Sequence, residues 1–206
     1  RRWQSGLPWP SRHQPGLIVV DRAVGGRYEN YRTPEQQIPE APLPYPWETC
    51  MTLGDSWSYT PNYNYRPGRK VVHMLAEVVA KGGNYLPNVG PDANGELPAQ
   101  ALSRMREIGD WMEVNGEAIY KSRAIAPYRD GQWRFTTLRD GSVYAIYLAD
   151  EDERDMPATL RLSGVAPAQG ATLHLLGSDA SLRWQREGAE TVIEVPAAAR
   201  AQLAGA

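Results

Sequence analysis

Residues 67–89, PGRKVVHMLAEVVAKGGNYLPNV, decide the fold. Val71, Val72, Leu75, Val78 and Val79 recur at helical spacing, with Pro67 near the first turn and Gly82-Gly83 as the stop. That pattern predicts a helix over 67–81, and a strand is expected directly after it, over 84–89. Upstream, Leu17-Ile18-Val19-Val20 is a short apolar run ending at Asp21-Arg22, which fits a fully buried parallel strand. Residues 23–46 hold prolines at 34, 39, 42, 44 and 46; no helix survives that density, so a long and functional loop is expected. Downstream, 90–95 form a turn cluster. A second helix is predicted from about 98 to 114, with Leu102, Met105, Ile108 and Met112 as its buried stripe and Asn115-Gly116 as its end. The order strand, loop, helix, strand, loop, helix implies a parallel sheet covered by helices. Pro87 is discordant: proline cannot donate to a ladder, so irregular pairing is expected in the 84–89 strand.

After Arg123 the pattern changes. Residues 133–138 and 142–148 alternate around Asp140-Gly141, a hairpin signal. Further short strands are expected at 159–162, 172–176, 182–184 and 191–195, separated by turn residues, which together describe a small antiparallel β-sandwich. The Ala-rich stretch from 197 reads as a short helix or a frayed end, and the proline-bearing residues 1–16 read as loop. The fold class expected is α/β then all-β, with one region over 1–122 and a second over 123–206.

Composition excludes several functions. The 206 residues carry 22 Lys and Arg against 24 Asp and Glu, a net charge of −2. Both signs are mixed throughout, so no nucleic-acid-binding face is expected. No apolar run is long enough to cross a bilayer. Cys50 is the single cysteine, which rules out an internal disulfide or a thiolate metal cluster. His13, His73 and His174 lack metal-ligand spacing, and Gly25-Gly26 is followed by no helix that would make it a phosphate loop. No metal and no cofactor is expected. Trp and Tyr make up almost all of the aromatic content, with Phe135 the one Phe. Such rings suit stacking on a sugar, although ordinary packing accounts for them as well.

Several short motifs occur in a particular order. They are the strand ending in Asp21-Arg22, Thr33-Pro34-Glu35, Trp47-Glu48, Ser56-Trp57-Ser58-Tyr59 and Gly82-Gly83-Asn84. Asn88-Val89-Gly90-Pro91 with Asp92 and Gly95 follows, then Ile108-Gly109-Asp110-Trp111 and Val114-Asn115-Gly116-Glu117-Ala118-Ile119-Tyr120. In this order they resemble the α-L-fucosidases of glycoside hydrolase family 29, from the C-terminal part of the catalytic barrel onward. The resemblance implies a (β/α) TIM-like barrel followed by a C-terminal β-sandwich. It also implies hydrolysis of terminal α-L-fucose with retention, through a covalent fucosyl-enzyme intermediate. The family nucleophile is an Asp, usually within Trp-x-Asp; none stands before Asp21, so it is expected upstream of this chain. The start at Arg1-Arg2-Trp3, without methionine or leader, reads as that of a fragment.

Retaining glycosidases use two carboxyl groups about 5–5.5 Å apart, one attacking and the other serving as acid and then base. By its place in the resemblance Glu35 is the first choice for acid/base and Glu29 its rival; a solvated loop carboxylate is the plain alternative for both. Arg22 resembles the family arginine that points into the fucose pocket; a salt bridge to an acid is the plain alternative. Trp57 matches a ring set against fucose and its C6 methyl, or is a core Trp. Glu48 is expected to support the site, and Asn84 and Asn88 to satisfy buried backbone groups. The expected partner is a fucosylated oligosaccharide or glycoconjugate, with no nucleic acid and no membrane. Half a barrel exposes a sheet edge, so association as a homo-oligomer or with the remainder of the catalytic domain is expected. Family habit suggests a periplasmic or secreted location, and the lack of an N-x-Ser/Thr sequon favours a bacterial source. The alternative function is a non-catalytic carbohydrate-binding fragment that lacks the nucleophile.

Overall fold

The computed structural model describes residues 14, 16–22, 26, 29–153 and 155–203. Residues 1–13 and 15, most of the N-terminal loop reading, lie outside the described residues, as do His13 and Gly25. Strands β1 (Glu48–Thr52) and β2 (Asn84–Asn88) pair in parallel, Glu48 opposite Asn84 and Thr52 opposite Asn88. Helix α1 (Gly68–Ala80) connects them. Pro67 is its N-cap at φ −56°, where a missing N–H leaves no bond unmade. At the other end the N–H groups of Gly82 and Gly83 close on the carbonyls of Val79 and Val78.

The pleat of β1 sorts its side chains. Trp47, Thr49 and Met51 are buried, while Glu48 and Cys50 take the opposite face. Trp47 also donates its Nε1–H to the Lys81 carbonyl. Gly83 backs the indole so closely that a Cβ would lie 2.3 Å from Trp47 Cζ2. Gly83→Ala must therefore displace the ring, and a loss of about 1–3 kcal/mol is expected from overpacking. Thermal unfolding followed by circular dichroism checks this; a melting temperature equal to wild type contradicts it.

Pro87 breaks nothing. It stands opposite Met51 in an unbroken register. Asn84 N donates to Trp47 O and Asn88 O accepts from Leu53 N, so the even-numbered peptide groups of β2 turn toward β1. Pro87 is out of phase with them, on the side of the strand where no described neighbour asks for its N–H. The expected irregular pairing is thus corrected.

The 17–20 run is also not the buried strand expected. Only Val20 makes a bridge, parallel, to Tyr31, and Ile18 is 69% exposed. The run is paired on one side only among the described residues, so it stays an extended edge. Conversely, the long loop contains pairing: Arg32 bridges Trp47 and Glu35 bridges Cys50, both parallel and in one register. Val20, the 31–35 segment, β1 and β2 thus lie side by side, all parallel.

Helix α2 (Ala99–Asn115) ends at Gly116 as expected, followed by a 3-10 turn (Gly116–Ala118). Its apolar stripe is only partly covered, with Ile108 and Met112 half-buried. Leu102 and Met105 are 36% and 44% exposed, and only Ala101 is fully covered. The helix also meets α1 through Glu107, which packs on Gly68.

The remaining strands are antiparallel. β3 (Arg123–Asp130), β4 (Trp133–Thr137) and β5 (Val143–Tyr147) form one sheet in that order. β6 (Thr159–Leu162), β7 (Leu173–His174), β8 (Ser181–Glu187) and β9 (Glu190–Glu194) form the other, in the order β6-β9-β8-β7. Trp133 and Phe135 from the first sheet meet Leu160, Leu162 and Ile193 from the second, with Ala199 of helix α3 (Ala197–Leu203) closing the cluster. Trp133 Nε1 donates across to Arg161 O at 2.7 Å. The fold is a mixed α/β part followed by antiparallel sheets.

Candidate active site

Parallel pairing puts side chains of facing residues on the same side, and that rule assembles the site. Tyr31, Thr33 and Glu35 alternate along their segment. Glu35 faces Cys50, Cys50 faces Leu86, and Tyr31 faces Val20. Together with Glu48 they line an open cleft of about 480 Å³, to which Arg22 and Trp57 also contribute. Four residues singled out from sequence therefore converge there: Arg22, Glu35, Glu48 and Trp57.

Arg22 Nη1 donates to Glu35 Oε2 at 2.6 Å, and Arg22 Nε donates to Thr33 Oγ1 at 3.0 Å. Thr33 in turn donates its N–H and hydroxyl to Asp21 Oδ1. Both members of the Arg22–Glu35 pair are about half exposed, so the pair contributes little to stability. Its interest lies in placement: Asp21 fixes Thr33, Thr33 orients the guanidinium, and the guanidinium holds the carboxylate at the cleft. The hydrogen bond to Glu35 raises the pKa of Arg22, which stays charged. Burial pushes the Cys50 thiol up, against the opposing pull of Arg22, so the neutral thiol is favoured.

Glu29 sits elsewhere. It is absent from the cleft lining, and its carboxylate accepts from Arg32 Nε at 2.7 Å and from Gly26 N at 3.1 Å. Arg32 also bonds the Tyr45 hydroxyl and lies over its ring. Both Glu29 oxygens are thus engaged in bracing the loop.

Trp57 is carried on a closed loop. Arg66 N donates to Leu53 O at 2.8 Å, Gly54 bridges Tyr65, and the Tyr63 hydroxyl donates to Ser56 O. The loop rests on Gly90, where a Cβ would meet Tyr59 N at 2.4 Å; only glycine permits that approach. Trp57 is 37% exposed, open to a ligand yet held by a braced backbone. Asn88 does not play the satisfying role expected of it: its Oδ1 is buried without a partner among the described residues, as is the Tyr85 hydroxyl. Burial pushes Tyr85 up to about 12.

Sequence reasoning did not single out Val20, Tyr31, Cys50 or Leu86 as cleft residues. The period-two spacing of Tyr31, Thr33 and Glu35, and of Glu48 and Cys50, is the signal that could have found them.

The family model described as Alpha-L-fucosidase matches residues 2–117. Plasma alpha-L-fucosidase of Pongo abelii is 32% identical over 209 residues, covering 92% of this chain and 44% of that protein. An Alpha-L-fucosidase of Dictyostelium discoideum is 36% identical over 115 residues, covering 52% of this chain and 24% of its own. Alpha-L-fucosidase isoenzyme 1 from Paenibacillus thiaminolyticus superposes with a TM-score of 0.77 at 29% identity, over 92% of this chain and 48% of that one. The alpha-fucosidase of Thermotoga maritima in complex with fucose gives 0.76 at 26%, over 93% and 44%. The chain thus spans less than half the length of these relatives.

Proposed function

The chain belongs to the α-L-fucosidase family, and from that premise we propose that it carries the acid/base side of a retaining glycosidase removing terminal α-L-fucose from glycans. The observation that supports this reading is the meeting of Arg22, Glu35, Glu48 and Trp57 in one cleft on one face of a parallel array. Residues up to 122 are then the closing strands and helices of a (β/α) barrel, and 123–206 its C-terminal sandwich. The exposed apolar residues Ile18, Leu102 and Met105 fit surfaces that the rest of such a barrel covers. The attacking aspartate belongs to the part of the relatives' length that this chain does not span.

In the first step the aspartate attacks the anomeric carbon while Glu35 gives its proton to the leaving oxygen. In the second Glu35 takes a proton from water as the water displaces the aspartate. An acid must carry its proton when the leaving group departs, so Arg22 turns from Glu35 to the sugar hydroxyls or the attacking carboxylate. The braced Trp57 ring stacks on the apolar face of the sugar and sheds water from it. The test is hydrolysis of an aryl α-L-fucoside by the protein that carries this chain, with the first-formed anomer read by proton NMR. Release of fucose as the α-anomer is expected. First formation of the β-anomer, or release of another sugar only, refutes the mechanism; a protein that binds fucose and never cleaves it establishes the binding-only alternative.

A further inference from the structure

The residue after Glu35 is in an uncommon conformation. Gln36 has φ +55°, the left-handed region that a side chain with a Cβ rarely enters. Such backbone persists where surrounding bonds over-determine it, and it gathers at functional sites.

Here the bonds are visible. Gln36 N donates to Cys50 O at 2.9 Å, the last rung of pairing between this segment and β1. At Gln36 the chain then turns out of the array. The next peptide group that would have met β1 is missing, and Thr52, 2% exposed, would be left without it. The Gln36 carboxamide takes that place: Thr52 N donates to Gln36 Oε1 at 3.3 Å, and Gln36 Nε2 donates to Thr52 Oγ1 at 3.2 Å. The Thr52 hydroxyl in turn donates a hydrogen bond to Gly54 O, at the root of the loop that carries Trp57. One side chain thus continues the ladder for one rung, ends the segment directly after Glu35, and ties it to the Trp57 loop.

The geometry points to Gln36 as a positioning residue for Glu35, setting the carboxylate's height in the cleft and its distance from the Trp57 ring. This rests on the acid/base reading of Glu35. A residue that only stabilised the fold would, when removed, slow all substrates alike. A residue that aims a proton donor matters most where the leaving group needs the proton.

Gln36→Gly keeps the backbone conformation accessible and removes the carboxamide. Its kcat/KM is expected to fall about tenfold for a fucoside with a poor phenol leaving group, and to hold for the 2,4-dinitrophenyl fucoside, with KM unchanged for both. Gln36→Glu, which keeps the acceptor for Thr52 N, should recover part of the loss. A crystal structure of Gln36→Gly is expected to find Glu35 displaced from Arg22. Equal losses across leaving groups, or Glu35 found in place, overturn the assignment. If the wild-type protein cleaves no fucoside, the fucosidase reading fails instead, and the crystal structure still decides whether Gln36 sets the position of Glu35.

Discussion

Glu35→Ala is expected to lower kcat/KM on an unactivated α-L-fucoside by about 10²–10⁴, the usual contribution of a positioned proton donor. The loss should shrink as the leaving phenol becomes more acidic, because a good leaving group departs without help. Added azide should then restore turnover. With the carboxylate gone, water at the second step has lost its base, and azide needs none. The product should be the fucosyl azide of retained configuration, since azide attacks the same face that water would. A retained azide assigns Glu35 to acid/base; an inverted azide assigns it to attack on the sugar. An unchanged rate transfers the role to Glu29, whose two oxygens are engaged by Arg32 and Gly26 outside the cleft. Arg22 sharpens the expectation. It is held on Glu35 by Thr33 and Asp21, so removing the carboxylate frees a guanidinium in the cleft, and KM should move far less than kcat.

How much of this was legible in the sequence depends on how local the signal was. The helix at Gly68–Ala80 follows from spacing and end residues alone, and so does the hairpin around Asp140-Gly141. The strand Arg123–Asp130 does not, because Pro127 interrupts its alternation. The structure accommodates it with a register shift between Ala124 and Arg129, a bulge that no local pattern announces. Leu102 and Met105 show the reverse failure: helical periodicity marks an apolar face but not what meets it. At the site, Glu35 and Arg22 were found through motif order. Their 2.6 Å contact depends on Thr33 and on the one-sided pairing of Val20 with Tyr31, which are non-local. The role of Gln36 was invisible, since glutamine carries no propensity for positive φ and reveals itself only through Thr52.

Glu77→Ala is expected to cost about 3 kcal/mol, the largest single loss of stability outside the apolar core. Glu77 sits on α1 and is largely covered, as are its partners: Lys81 is 5% exposed, and its Nζ lies 2.5 Å from one Glu77 oxygen. Arg134, on β4, donates to the other. Lys81 also donates to Pro39 O and faces the Tyr128 ring, so one carboxylate joins α1, the antiparallel sheet and the loop that leads to β1. Removing it strands two cations away from water, which is costlier than the pair was worth. For a chain of this length about 3 kcal/mol is roughly 6–12 °C of melting temperature. Replacing Glu77 with Leu and Lys81 with Met together should recover only the part of the loss due to the stranded lysine, because Arg134 still lacks its carboxylate. The pH dependence has a definite sign. Burial alone would raise the pKa of Glu77, but the hydrogen bonds from Lys81 and Arg134 outweigh it and the net shift is downward. The contribution is therefore full above the unfolded value of about 4.3 and is lost as pH falls through the lower folded value. Thermal unfolding between pH 7 and pH 3 should show wild type losing stability at the acid end and Glu77→Gln losing less. Parallel curves for the two proteins, or a Glu77→Ala variant within about 0.5 kcal/mol of wild type, would show that the cluster does not hold the two parts together.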